Sequence, residues 1–149
     1  MTQTALPPVA ELLPHSGRAM LLDAVLEETP HGVVVSASVD RRHPYYSAEC
    51  GGVPNWVGIE LMAQAIAAHA GLLGLRDGHA PYVGYLLGTR RYRAEVTAFV
   101  PGKPLRIAVE RLYLEPSGLG AYDCSITSEG RLLVQASVTV FQTNEEMHR

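Results

Sequence analysis

Hydrophobic and polar positions alternate along much of this chain, and one segment breaks the alternation altogether. In GVVVSASVD (32–40), Val33, Val35, Ala37 and Val39 interleave with Val34, Ser36, Ser38 and Asp40. A period of two predicts a strand, and AMLLDAVLEET (19–29) is expected to pair with it through Pro30-His31-Gly32. Four later segments read as long strands: PYVGYLLGTRRYRAEV (81–96), PLRIAVERLYLEP (104–116), LGAYDCSITSEG (119–130) and RLLVQASVTVFQ (131–142). Within them Ile107, Val109 and Arg111 alternate with Ala108, Glu110 and Leu112, and Val134, Ala136, Val138 and Val140 with Gln135, Ser137 and Thr139. The connections Pro116-Ser117-Gly118 and Glu129-Gly130 are short and turn-rich, which favours antiparallel neighbours.

The exception is GGVPNWVGIELMAQAIAAHAGLLGL (51–75). Trp56, Val57, Ile59, Leu61, Met62, Ile66, Leu72 and Leu73 point in every direction around a helix, so protein must surround it. Asn55 is the expected N-cap, and Gly71 and Gly74 mark the expected end. Upstream, PVAELLP (8–14) has room for one or two helical turns, and RRHPYYSAECGG (41–52) has no period and reads as a loop. TNEEMHR closes the chain as a polar tail. The order β-β-α-β-β-β-β implies an α+β fold, a single domain over 1–149, in which a curved antiparallel sheet of about six strands wraps one long helix. A sheet cannot cover every side of such a helix, so edge-to-edge dimerisation is expected to complete the cover.

Composition narrows the function. With a net charge of −3, nucleic acid has no electrostatic support as a partner. The two cysteines, Cys50 and Cys124, make neither a metal-ligand spacing nor a disulfide framework, which fits a reduced, cytoplasmic protein. The N-terminus lacks the basic and apolar regions of a signal peptide. Residues 56–75 approach the length of a membrane span but carry Glu60, Gln64 and His69, so a buried helix is expected rather than a membrane contact. No phosphate-binding loop, dinucleotide fingerprint, nucleophile elbow or zinc-ligand cluster occurs, and neither a cofactor nor a metal is expected.

Chemistry centres on Glu60. A carboxyl group desolvated among Ile59, Leu61, Met62 and Ala63 is suited to general acid or base work, and Gln64, one turn on, can hydrogen-bond it. Its alternative is a purely structural glutamate held by that same amide. The backbone N–H groups around Gly52 to Gly58 offer donors for a carbonyl oxygen at the helix start. His43, in the aperiodic loop, could be a second proton-transfer group. Glu49 and Cys50 lie nearer the helix, the thiol without an evident base. His15 and Asp23 are expected to organise the first strand's start, and His69 to sit structurally near the helix C-terminus. Arg90, Arg91 and Arg93 form the densest basic cluster, either a solvated strand end or a dock for an acidic carrier.

LLPHSGRAMLLDAVLE (12–27), VPNWVGIELMAQAIAAHAG (53–71) and YVGYLLGTRRYRAEVTAFVPGKPL (82–105) together resemble the hot-dog-fold β-hydroxyacyl-acyl-carrier-protein dehydratases. The first is similar to that family's "LPHR-P-LLVD-V" opening, the second to the start of its central helix, the third to the strand and "PGD" turn that follow. The form of GGVPNWVGIELMAQ most resembles a divergent branch found with aryl-polyene and related pathways. The resemblance implies removal of water from a 3-hydroxyacyl thioester carried by acyl carrier protein, giving a trans-2-enoyl thioester. It also implies a homodimer or higher homo-oligomer with interface sites, where a glutamate of one subunit (Glu60) faces a histidine of the other. Gly52, Val53, Gly58, Gln64, Leu87 and Gly88 are the substrate-binding positions it implies. The family's histidine segment, "GHFPG-P--PG", is YYSAECGGVPN in this chain. Counting back from Glu60 puts the histidine slot on Tyr46, and aligning the aromatic pair Tyr45-Tyr46 puts it on Glu49. The nearest imidazole is His43, so the partner of Glu60 is His43, Glu49 or none. An acyl thioesterase of the same fold and a non-catalytic partner subunit are the alternative functions.

Overall fold

The computed structural model describes residues 6–15, 17–78 and 83–143 of the chain. Eight strands and one long helix follow in the order β1 (Ala24–Thr29), β2 (Gly32–Ala37), β3 (Val53–Pro54), α1 (Gly58–Asp77), β4 (Val83–Ala94), β5 (Ala98–Phe99), β6 (Leu105–Leu114), β7 (Leu119–Ser128) and β8 (Arg131–Thr143). Six of them form one antiparallel sheet in the order β1-β2-β6-β7-β8-β4. The fold is α+β, as the alternation pattern required. Pro81, Tyr82 and the tail from residue 144 lie outside the described residues.

The inner face of the sheet is built by the predicted period. Two rows of paired residues run across four strands: Val33, Val109, Cys124 and Ala136, and next to them Val35, Ile107, Ile126 and Val134. All eight are buried, and with Leu61, Met62, Ala65, Ile66 and Leu72 of α1 they make one core. Apolar area removed from water, at about 25 cal/mol per Å², is what holds helix to sheet. At the β7–β8 hairpin, Glu129 and Gly130 both take positive φ (52° and 80°), the two-residue turn whose twist matches its strands.

The helix departs from expectation at both ends. A 3-10 turn, Asn55–Val57, precedes it, and no side chain caps its start. Asn55 instead donates from Nδ2 to the Val96 carbonyl at 2.8 Å, tying the helix entrance to the strand region opposite. The helix also runs past Gly71 and Gly74 to Asp77, and Gly78 caps it in the left-handed conformation (φ 74°). Gly71 is a packing position, not a terminus: a Cβ there would lie 2.6 Å from the Leu12 carbonyl oxygen. The helix is also not covered all round. Ile59, Ala63 and Ala67, spaced by single turns, stay half-buried, and β4 is a free edge of the sheet.

Because the helix continues, His69 sits in the core rather than near a helix end. Its Nδ1 lies 2.8 Å from the Tyr122 hydroxyl, and both side chains are buried. Burial, reinforced by the charges of Arg111, Arg76 and the nearby His31, brings its pKa down to about 4, so the ring is neutral at neutral pH. In the unfolded chain the same ring titrates near its ordinary value of 6.5. The unfolded state therefore takes up the proton first on acidification. The stability this neutral ring contributes is complete above about pH 6.5 and is lost as pH falls towards about 4. Urea denaturation across this window is expected to show a loss on the order of a few kcal/mol. Most of that pH dependence should vanish in His69→Met.

Candidate active site

The site is assembled where the segment before β1 crosses the first two turns of α1. Gln64 is fully buried between them. Its Oε1 accepts from the Leu21 N–H (2.9 Å), and its Nε2 donates to the Ala19 carbonyl (2.7 Å) and to Glu60 Oε1 (3.0 Å). Both hydrogens of the amide are thereby used. This bond is the i, i+4 contact anticipated from the spacing, and the amide reaches across to the 19–21 backbone as well.

Glu60 is less enclosed than its neighbours in sequence suggest. Leu61 and Met62 turn into the core, whereas the Glu60 side chain keeps 44% of its surface exposed. It stands on the first turn, on the flank of α1 that the sheet leaves open. The chain by itself therefore anchors this carboxylate through one oxygen and leaves it accessible to a substrate. The nearest imidazole is His15, whose Nε2 lies 3.8 Å from Glu60 Oε1 with 30% of its side chain exposed. His15 Nδ1 is buried and has no hydrogen-bond partner among the described residues.

The other predicted residues are distributed around this pair. His43 shares no hydrogen bond or ion pair with Glu60 among the described residues. Its Nδ1 accepts from the Tyr45 N–H at 3.1 Å, and burial lowers its pKa, opposed by Asp40 and assisted by Arg18. It lines an open cavity of about 440 Å³ with Arg18, Asp23, Asp40 and Arg42. Glu49 and Cys50 are exposed in the loop, and the thiol lies 3.3 Å from the Gly52 carbonyl. Asp23 accepts a hydrogen bond from Ser38, in keeping with the organising role expected of it.

The expected carbonyl donors are partly occupied. The N–H groups of Gly52, Asn55 and Gly58 bond to the carbonyls of Ser47, Thr97 and Asn55. Gly52 and Gly58 are small for packing: a Cβ would meet the Phe99 carbonyl oxygen at 2.2 Å in the first case and the Tyr92 hydroxyl at 2.5 Å in the second. That hydroxyl donates to the Asn55 carbonyl, and burial pushes its pKa up to about 12. Val53 is fully buried in the β3–β5 pair. Leu87 (57% exposed) and Gly88 lie at an irregularity of the free strand β4, with open space beside Gly88.

Two features of the site had no local signal. His15 is forty-five positions from Glu60, and the two segments meet through the Gln64 bonds and the packing of Leu12 and Leu21 on the helix. Trp56, 59% exposed, meets Tyr45 edge-on with ring centroids 5.9 Å apart, forming an aromatic ledge beside the helix entrance.

Removing the buried amide tests this arrangement. Gln64→Met retains volume but leaves the Leu21 N–H unpaired and Glu60 unanchored. A destabilisation of about 1–3 kcal/mol is expected in urea denaturation, together with loss of order in residues 17–21 by amide hydrogen exchange.

Known proteins share this fold. A chain of the dehydratase heterocomplex ApeI:P from Xenorhabdus doucetiae superposes with a TM-score of 0.87 at 30% identity over 95% of both chains. The 3-hydroxyacyl-[acyl-carrier-protein] dehydratase FabZ of Polynucleobacter necessarius is 27% identical, covering 88% of this chain and 87% of the relative. A hypothetical thioesterase of Streptococcus pneumoniae, solved with coenzyme A, shares the fold with a TM-score of 0.63 at 19% identity over 80% of this chain and 84% of that one. The ApeP dehydratase family model matches residues 7–149, and this hot-dog chain belongs to the ApeP-like dehydratases.

Proposed function

We propose that the protein dehydrates a 3-hydroxyacyl thioester carried by acyl carrier protein, forming the trans-2-enoyl thioester and water. The observation that carries this reading is Glu60: an accessible carboxyl group on the first turn of α1, oriented by a fully buried amide. In the reaction a base takes the α-proton, its electron pair becomes the C2–C3 double bond, and the C3–O bond breaks. The departing hydroxyl takes a proton from Glu60 and leaves as water. The positive end of the helix dipole, on the same turn, favours the negative charge that develops on the thioester oxygen. The resemblance calls for a histidine of a second subunit opposite Glu60, for which His43 is the nearest in sequence, whereas within the chain the imidazole beside Glu60 is His15.

Homodimer or higher assembly is supported by the free edge of β4, with exposed Leu86 and Leu87, and by the uncovered stripe Ile59, Ala63 and Ala67. Arg90, Arg91 and Arg93 are exposed on the same strand and suit an acidic carrier in the cytoplasm. The aromatic ledge of Tyr45 and Trp56 suits an acyl group with extended conjugation, of the aryl-polyene type. A second reading, as a partner subunit within a mixed dehydratase assembly, draws on the heterocomplex to which the chain is similar. It predicts turnover only when a second dehydratase chain is added.

Enoyl absorbance and free thiol, followed together with a 3-hydroxyacyl thioester on carrier protein, test these readings. Enoyl formation without thiol release is expected, falling by about 100-fold or more in Glu60→Gln while the fold is retained. Thiol release alone would mean hydrolysis instead.

A further inference from the structure

Elimination constrains where the acid and the base can stand. The α-carbon and the 3-hydroxyl oxygen are separated by only two bonds, so the groups serving them must themselves be close together. Glu60 and His15 satisfy this within one chain, at 3.8 Å. His15 is also held in place. It precedes Ala19 and Leu21, whose backbone groups are bonded to the same Gln64 amide that anchors Glu60. One buried side chain therefore ties Glu60 to the segment that follows His15. With Nδ1 buried and Nε2 directed at Glu60, the ring presents a single nitrogen to the accessible side. His43 has no comparable contact with Glu60 within the chain: its Nδ1 is engaged by Tyr45 and its ring lines a cavity with Arg18 and Asp40.

We propose that His15 is the base of the reaction, working in cis with Glu60 where the loop before the helix carries no histidine in the family's slot. The proposal rests on the dehydratase reading. His15 Nε2, neutral at the start, takes the α-proton as the C2–C3 double bond forms, and Glu60 gives its proton to the leaving hydroxyl. Turnover leaves an imidazolium beside a carboxylate. Transfer of that proton from His15 Nε2 to Glu60 across the short gap restores both groups, so the pair needs no proton from a second subunit.

The test compares His15→Gln, His15→Ala and His43→Gln in the intact protein. We expect kcat to fall by about 100-fold or more in His15→Gln, and free imidazole to restore about tenfold to His15→Ala. His15→Gln within about threefold of the parent enzyme, no rescue by imidazole, or a larger loss in His43→Gln than in His15→Gln each overturns the proposal. Failure of the dehydratase reading shows itself separately, as no enoyl product from the unaltered chain. His15 is then read by diethylpyrocarbonate labelling with and without hexanoyl-pantetheine. Protection of His15 supports its place at the acyl site, and undiminished labelling overturns it.

Discussion

The structure turns on a single buried amide. Gln64 lies inside a helix whose other inward residues, His69 apart, are apolar or small, and an unpaired amide there would cost on the order of several kcal/mol. That cost is avoided only if a backbone donor, a backbone acceptor and a further acceptor all converge on it. Leu21, Ala19 and Glu60 meet that demand. The desolvation penalty thus becomes a positional constraint: the segment before β1 must lie across the first two turns of α1, and Glu60 must turn its carboxylate towards Gln64. Satisfied buried polar groups specify geometry more sharply than apolar contacts, because their alternatives are so unfavourable.

Around that constraint the sheet and helix divide the work. Rows of small and branched residues, such as Val33–Val109–Cys124, let β2, β6 and β7 pack closely over α1. Glycine at 52, 58 and 71 lets backbone or aromatic groups approach the helix and its entrance at distances a side chain would forbid. The face left over, from Glu60 through Ala63 to Ala67, keeps the carboxylate accessible. The apolar helix that could pass for a membrane span by length, Asn55–Asp77, is a core helix, with 72% of its most apolar window buried in the fold.

Much of this was legible in the chain. The period of two located β2, β6 and β8 and their inward faces, because burial of one face imposes alternation directly on sequence. The helix was legible from its lack of any polar side. Its end is misread from sequence because Gly71 and Gly74 resemble stop signals, whereas Gly71 is a contact point whose close approach to Leu12 leaves no local trace. The pairing of β4 with β8 at the far edge, and the short β3–β5 ladder, depend on non-local packing. Glu60 and Gln64 could be picked out by spacing alone. His15 could not be assigned to them, since its place follows from hydrogen bonds spanning more than forty residues. Glu60 was expected to be buried because its neighbours are apolar, but on the first turn its direction, outward, decides its exposure.

The proposed reaction requires the amide-anchored carboxylate of Glu60 to face the reacting carbons of an acyl thioester. A crystal structure of the protein soaked with a non-eliminating 3-hydroxyacyl-pantetheine amide measures this directly. The account predicts the 3-hydroxyl oxygen within hydrogen-bonding distance, about 3 Å, of a Glu60 carboxylate oxygen, with Gln64 still bonded to Ala19 and Leu21. An acyl group bound elsewhere, with Glu60 facing only solvent, would contradict it.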